Sequence, residues 1–243
     1  MHHFFVPSDA IQGNQVSFPE QTGRQIQRVL RLNAGESVIA LDNSGKMYES
    51  VLAFDEKKVT GAIIETRDAG TEPLIKIRLL ACVSQREKYE WILQKGTELG
   101  VSEFLPVISQ RTLVQKSAAI DKKRSRWETI IQEAAEQSHR GKLPVLMDVV
   151  KYDDLIKQVD SDACNLIAHT SDDVNSLKSV LKVNDKLTFN LLVGPEGGFS
   201  DEEVSAAVQV GFQSVSLGAR ILRMETACLA IVNSVLFYSS SSD

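Results

Sequence analysis

Two glycine-bearing segments hold the residues best suited to chemistry. The first is Leu192-Val193-Gly194-Pro195-Glu196-Gly197-Gly198-Phe199-Ser200. An apolar run precedes it, and Ser200-Asp201-Glu202-Glu203 opens a helix after it as a capping box, so it reads as a strand-to-helix turn. Glycines in such a turn let backbone come close to a ligand, and the helix start offers free N–H donors. The spacing is neither the Gly-x-Gly-x-x-Gly of dinucleotide sites nor the Gly-Lys-Ser/Thr of triphosphate sites, which disfavours both enzyme classes. A plain turn without a ligand is the alternative. The second segment is Leu217-Gly218-Ala219-Arg220-Ile221-Leu222-Arg223-Met224-Glu225-Thr226-Ala227. Its two arginines have apolar flanks, where charge is expensive to bury unless paired or in use. Pairing of Arg223 with Glu225 on an exposed loop is the competing reading. Two such loops in one α/β unit favour a ligand crevice.

The elements that must position these loops follow from periodicity. Residues 74–83, 104–108, 165–169, 188–193 and 215–217 read as strands. Residues 86–99 (closed by Gly100), 121–139, 201–210 and 225–238 read as helices, with weaker helical patterns at 153–159 and 174–181. This alternation predicts a layered α/β domain with a mainly parallel sheet. The last helix is apolar nearly all round and must be buried against something. Residues 239–243 form a polar tail expected to fray. The first seventy residues differ. A short strand at 4–6, a hairpin of 37–41 and 46–54 around Asn43-Ser44-Gly45, and a strand at 59–66 predict a small β-rich unit. Between them, 25–32 repeats Ile26, Val29 and Leu30 at helical spacing, which would place Arg24, Arg28 and Arg31 on one helix face. Residues 68–73 read as the linker.

Composition narrows the class. The chain has 243 residues and a net charge of -5, with 43% hydrophobic residues. That supports one long domain or two modest ones with a real core. Charge is segregated: residues 73–143 carry 13 basic and 8 acidic side chains, so the middle is locally positive. A basic middle can bind a polyanion despite the total, although on charge alone an unevenly composed solvated surface is the favoured reading. Cys82, Cys164 and Cys228 form no Cys-x-x-Cys and are odd in number, so neither a disulfide framework nor a zinc site is expected, and a reducing cytoplasm fits. His2, His3, His139 and His169 form no legible metal set. No apolar run is long enough to cross a bilayer, and the start lacks a secretory-signal pattern.

The two glycine-bearing segments together resemble the SPOUT methyltransferases. The match is closer to one branch, the 16S ribosomal RNA uridine-N3 methyltransferases. Further motifs of that branch are Val29-Leu30-Arg31, Lys95-Gly96-Thr97-Glu98-Leu99-Gly100-Val101, Gln110-Arg111, and Ala134-Ala135-Glu136-Gln137-Ser138-His139-Arg140 followed by Pro144. The resemblance spans nearly the whole chain. It departs at His2-His3, where the family usually has Arg, and at Gln25, where it has His; neither touches the methyl-transfer segments.

The resemblance implies an α/β fold with an N-terminal PUA-like β-barrel for RNA binding over 1–70 and a SPOUT methyltransferase domain with a deep trefoil knot over 74–243. It implies a homodimer, a cytoplasmic location, no membrane and no metal. The cofactor is S-adenosylmethionine and the substrate is 16S rRNA or the small ribosomal subunit. Thr170, Leu192, Val193, Gly194, Pro195, Gly197, Gly198, Leu217, Gly218, Ile221, Leu222 and Thr226 would hold the cofactor. Arg223 would stabilise a uracil anion, with Arg220 second, and Glu196 or Glu225 would take a proton. Arg24, Arg28, Arg31, Arg111, Lys122, Lys123, Arg126 and Arg140 would position RNA. The alternatives are methylation of another RNA atom, such as a ribose 2′-OH, or a catalytically silent RNA-binding assembly factor.

Overall fold

A computed structural model describes residues 1–55, 58–115, 117–170 and 175–240. Of the expected elements, residue 174 and tail residues 241–243 lie outside the described residues. The chain forms two compact units, one of residues 1–72 with 132–143 and one of 73–131 with 144–243. Residues 132–143, which the sequence pattern assigns to the second domain, thus belong to the first unit.

The first unit is a six-stranded sheet. Its strand order is His3–Phe5, Ser37–Leu41, Lys46–Asp55, Lys58–Asp68, Gln15–Phe18 and Ile11–Gln12. Only the first pair is parallel. The strand Ser37–Leu41 is buried on both faces. Val38 and Ala40 join Phe4, Val16, Ile26 and Leu52 on one side, while Ile39 and Leu41 join Phe5, Met47 and Ala135 on the other. Period-2 alternation puts these neighbours on opposite faces. The second face is covered by residues 132–143. There Glu136 Oε1 accepts the Phe5 N–H at 2.9 Å, and Asn43 Oδ1 accepts the Leu143 N–H at 2.7 Å. Arg140 is only 4% exposed and its guanidinium is bound to Glu72. The sequence expectation places Arg140 on RNA; in the fold it forms a buried ion pair.

The helix carrying Arg24 also departs from expectation. An α-helix at Glu20–Arg24 passes into a π-helical turn at Gln25–Val29. Arg31, at φ 55°, lies beyond the helical segment. The wider i→i+5 turn changes the angular spacing of side chains, so Arg24, Arg28 and Arg31 do not share one regular helix face.

The second unit is built on an all-parallel sheet. Its order is Val150–Lys151, Glu103–Ile108, Lys76–Cys82, Thr188–Val193, Cys164–Ala168, Gln213–Ser216 and Asn175–Ser176, with Val145–Leu146 also pairing with Glu103–Ile108. Strands buried on both faces need continuous apolar runs, which Leu79-Leu80-Ala81-Cys82 and Leu191-Leu192-Val193 supply. The helix Arg86–Leu99 packs its Tyr89, Ile92, Leu93 and Gly96 face inward and ends at Gly100 in the left-handed region. The last helix, Met224–Ser240, buries Met224, Cys228, Ile231, Val232 and Val235 and contacts Arg86–Leu99. The long helix expected over 121–139 is two pieces, Ser117–Asp121 and Arg124–Gln137. Among the described residues no helix is long and apolar enough to cross a membrane.

Candidate active site

Three adjacent strands set the site. Cys164–Ala168 lies between Thr188–Val193 and Gln213–Ser216 and runs parallel to both. Their carboxyl ends therefore open at one edge of the sheet, where α/β folds bind ligands. The glycine loop leaves Val193 and the arginine loop leaves Ser216, so the two flank His169 and Thr170. Between them lies a cavity of about 520 Å³. It is lined by Thr170, Val193, Gly194, Pro195, Glu196, Gly197 and Gly198 on one side and Leu217, Gly218, Arg220, Ile221, Leu222 and Arg223 on the other.

Local sequence explains both loops. Ser200 Oγ accepts the Glu203 N–H at 3.2 Å, and Glu203 Oε2 accepts the Ser200 N–H at 2.9 Å, which completes the capping box. Gly198 has φ 67° and Gly218 has φ 119°, backbone that a side chain with a Cβ adopts only under strain. Gly218 donates its N–H to Ser216 Oγ at 3.2 Å.

Three of the expected residues do not line the cavity. Leu192 is fully buried in the core, Thr226 is exposed on the last helix, and Glu225 lies on that helix with Oε2 buried and without a hydrogen-bond partner. Six residues that sequence reading left out of the site do line it: Lys88, Ala168, His169, Phe199, Met224 and Ala227. Lys88 Nζ donates to Glu196 Oε1 at 2.9 Å. Nothing local marks Lys88, which sits in the first turn of a helix about a hundred residues earlier. Arg220 and Arg223 are exposed and form no ion pair among the described residues, so Arg223 does not bond to Glu225.

Of the expected RNA contacts, Arg24, Arg28, Arg31 and Arg140 belong to the first unit and Arg111, Lys122, Lys123 and Arg126 to the second. Arg24 is bound to Glu20. Arg126 makes two bonds to Glu90, at 2.6 and 2.8 Å, which hold that carboxyl down at about 2. Arg111 donates to the carbonyls of Gly197 and Phe199. Arg28, Arg31 and Lys122 are exposed, and Lys123 is half-buried in the turn before Arg124–Gln137.

Cysteine chemistry is excluded by burial. All three thiols are buried, none lines the cavity, and desolvation pushes Cys82 up to about 12 and Cys164 to about 11. They stay neutral thiols and poor nucleophiles. Among the described residues no cluster of three or more His, Cys, Asp or Glu is placed to hold a metal.

Residues 71–236 match the model of the RNA methyltransferase domain family. The chain is 32% identical to the Bacillus subtilis ribosomal RNA small subunit methyltransferase E over 238 residues, covering 95% of this chain and 90% of the relative. It is also 32% identical to the Aquifex aeolicus protein of that name, covering 96% and 98%. The crystal structure of the Neisseria gonorrhoeae methyltransferase E, bound to S-adenosylmethionine, superposes with a TM-score of 0.88 at 31% identity, covering 96% of each chain. A Legionella pneumophila methyltransferase with bound S-adenosylmethionine gives 0.86 at 28% identity, again over 96% of each chain.

Proposed function

The chain belongs to the ribosomal RNA small subunit methyltransferase E family, and from that premise we propose that it transfers a methyl group from S-adenosylmethionine to N3 of a uracil in 16S ribosomal RNA. The observation that carries this reading is the cavity between the two loops, at the strand ends, with glycine backbone on one wall and two free arginines on the other. A relative of nearly the same fold binds S-adenosylmethionine.

The chemistry asks for such a site. N3 lies on the Watson–Crick edge, so the base must be unpaired or swung out. N3–H must lose its proton before its lone pair can attack the methyl carbon. As the new N–C bond forms, the C–S bond breaks and its electron pair stays on sulfur, leaving S-adenosylhomocysteine. Loss of the proton spreads negative charge over O2 and O4. A cation there stabilises the anion and the transition state more than the neutral base. Arg223 fills this role, and Arg220 stands beside it. Anion and sulfonium cancel charge as they react, which a poorly hydrated pocket favours. Glu196 is engaged by Lys88, and Glu225 does not line the cavity. Solvent therefore takes the N3 proton. Backbone of residues 193–198 and 217–222 holds the cofactor, with Thr170 at the edge.

Positioning of RNA falls to Arg28 and Arg31 of the first unit and Lys122 and Lys123 of the second, because all four lack an ion-pair partner among the described residues. The family reading supplies a PUA-like barrel for the first unit and a trefoil knot for the second. It also supplies a homodimer, supported by Ile221 and Phe237, large apolar side chains 88% and 71% exposed.

Nucleoside analysis of small-subunit rRNA from cells lacking this protein tests the reading. The expected result is loss of 3-methyluridine. Unchanged 3-methyluridine, with a different nucleoside missing, would overturn the target atom.

A further inference from the structure

The glycine loop is gripped from outside the cavity. Arg111 Nη1 donates to the Gly197 carbonyl at 2.9 Å and to the Phe199 carbonyl at 3.1 Å. These two carbonyls bracket Gly198, the residue at φ 67°. The neighbouring backbone repeats the grip: Gln110 donates its N–H to Glu203 Oε1 at 2.8 Å, while Glu203 Oε2 takes the Ser200 N–H at 2.9 Å. One arginine and one carboxylate thus tie the segment after Glu103–Ile108 to the loop that lines the cavity. The Arg111 stem lies against Gly197: a Cβ built there would sit 3.5 Å from both Arg111 Cβ and Cδ.

We propose that Arg111 is a positioning residue for cofactor binding, holding the 194–200 loop in its ligand-ready shape, and not a contact to RNA. Charge-assisted bonds to two carbonyls fix the 197–198 and 199–200 peptide planes around Gly198, a glycine at positive φ whose own N–H is bonded to the Pro195 carbonyl. Pre-organisation of this kind raises affinity by removing an ordering cost from binding. The inference rests on the cavity being the S-adenosylmethionine site.

The test is calorimetric titration of S-adenosylmethionine into wild type, Arg111→Ala and Arg111→Lys, with RNA affinity and methylation kinetics in parallel. Loss of bonds to a charged donor predicts a cofactor Kd about tenfold higher for alanine, with lysine in between. The cofactor KM rises with it, kcat recovers at saturating cofactor, and RNA affinity stays within about twofold. Unchanged cofactor affinity with weakened RNA binding would overturn the proposal. So would a kcat that saturating cofactor fails to restore, with lysine no better than alanine. Failure of the wild type itself to bind S-adenosylmethionine would instead overturn the cofactor site, and this inference with it.

Discussion

The loop at 194–200 and the loop at 217–223 flank the same central strand, yet they are held very differently. The first is fastened from three sides: Lys88 holds the Glu196 side chain, Arg111 holds two carbonyls, and Glu203 holds the Ser200 N–H. The second is held by local bonds, between Ser216 and Gly218 and between the Ala227 N–H and the Arg223 carbonyl. Its Ile221 is 88% exposed, and both arginines reach solvent. A braced loop suits a ligand that must find its site ready-made. An exposed cationic loop suits a polyanion that arrives later and completes the site. On the proposed function, backbone of both loops holds the cofactor; the bracing of the first loop adds to that affinity, and the arginines of the second add charge stabilisation.

Glycine backbone is where both loops should fail most severely. Gly218→Val and Gly198→Val each force a β-branched residue into positive φ, beside the cavity in both cases. Calorimetry should find no measurable S-adenosylmethionine binding in either, while circular dichroism shows a folded protein. Retained affinity in Gly218→Val would detach the second loop from the cofactor. Arg223→Ala comes next. It should slow single-turnover methylation by roughly a hundredfold, the cost of losing one charge-stabilising donor. Arg223→Lys should fall between it and wild type. Raising the pH should partly rescue the alanine variant, because solvent then removes the N3 proton more readily.

Acid sharpens the comparison from outside the cavity. In the first unit, His3 is 8% exposed and stacks on His139 at 4.0 Å. Burial, then the His139 charge, hold its imidazole down at about 4. A histidine kept neutral in the fold stabilises it fully above about pH 6.5, and that contribution is lost as pH falls towards 4. Thermal melts should therefore show a falling Tm over this window, on the order of 3 kcal/mol at its end, and His3→Phe should flatten it. A cofactor affinity that follows the same His3-dependent curve would contradict its assignment to the second unit's loops. The smallest effect is expected from Arg28→Ala with Arg31→Ala. Each lost phosphate contact should reduce the salt slope of RNA binding by roughly one, with cofactor affinity unchanged. An unchanged slope would remove these residues from the RNA surface.

Much of this was legible in sequence where the signal is local. The Arg86–Leu99 helix with its glycine stop, the strand Thr188–Val193 and the Ser200 capping box follow from periodicity and cap chemistry alone. What was not legible depends on distant partners. Ile39 and Leu41 are buried because Ala135, nearly a hundred residues later, packs on that face. Arg140 meets Glu72, 68 positions away, and Arg111 meets the carbonyls of Gly197 and Phe199, 86 and 88 positions away. Lys88 carries no local mark because its partner, Glu196, is 108 positions away. For the same reason removal of residues 1–70 would disturb more than an RNA surface, since it would uncover Ala135 and Glu136.

The contrast between the loops can be tested in one crossed measurement: cofactor affinity and single-turnover rate at saturating cofactor, for Arg111→Ala and Arg223→Ala side by side. The account predicts that Arg111→Ala loses affinity and keeps its rate, while Arg223→Ala keeps affinity and loses its rate. If both variants lose the same quantity, the division of labour between the two loops is wrong.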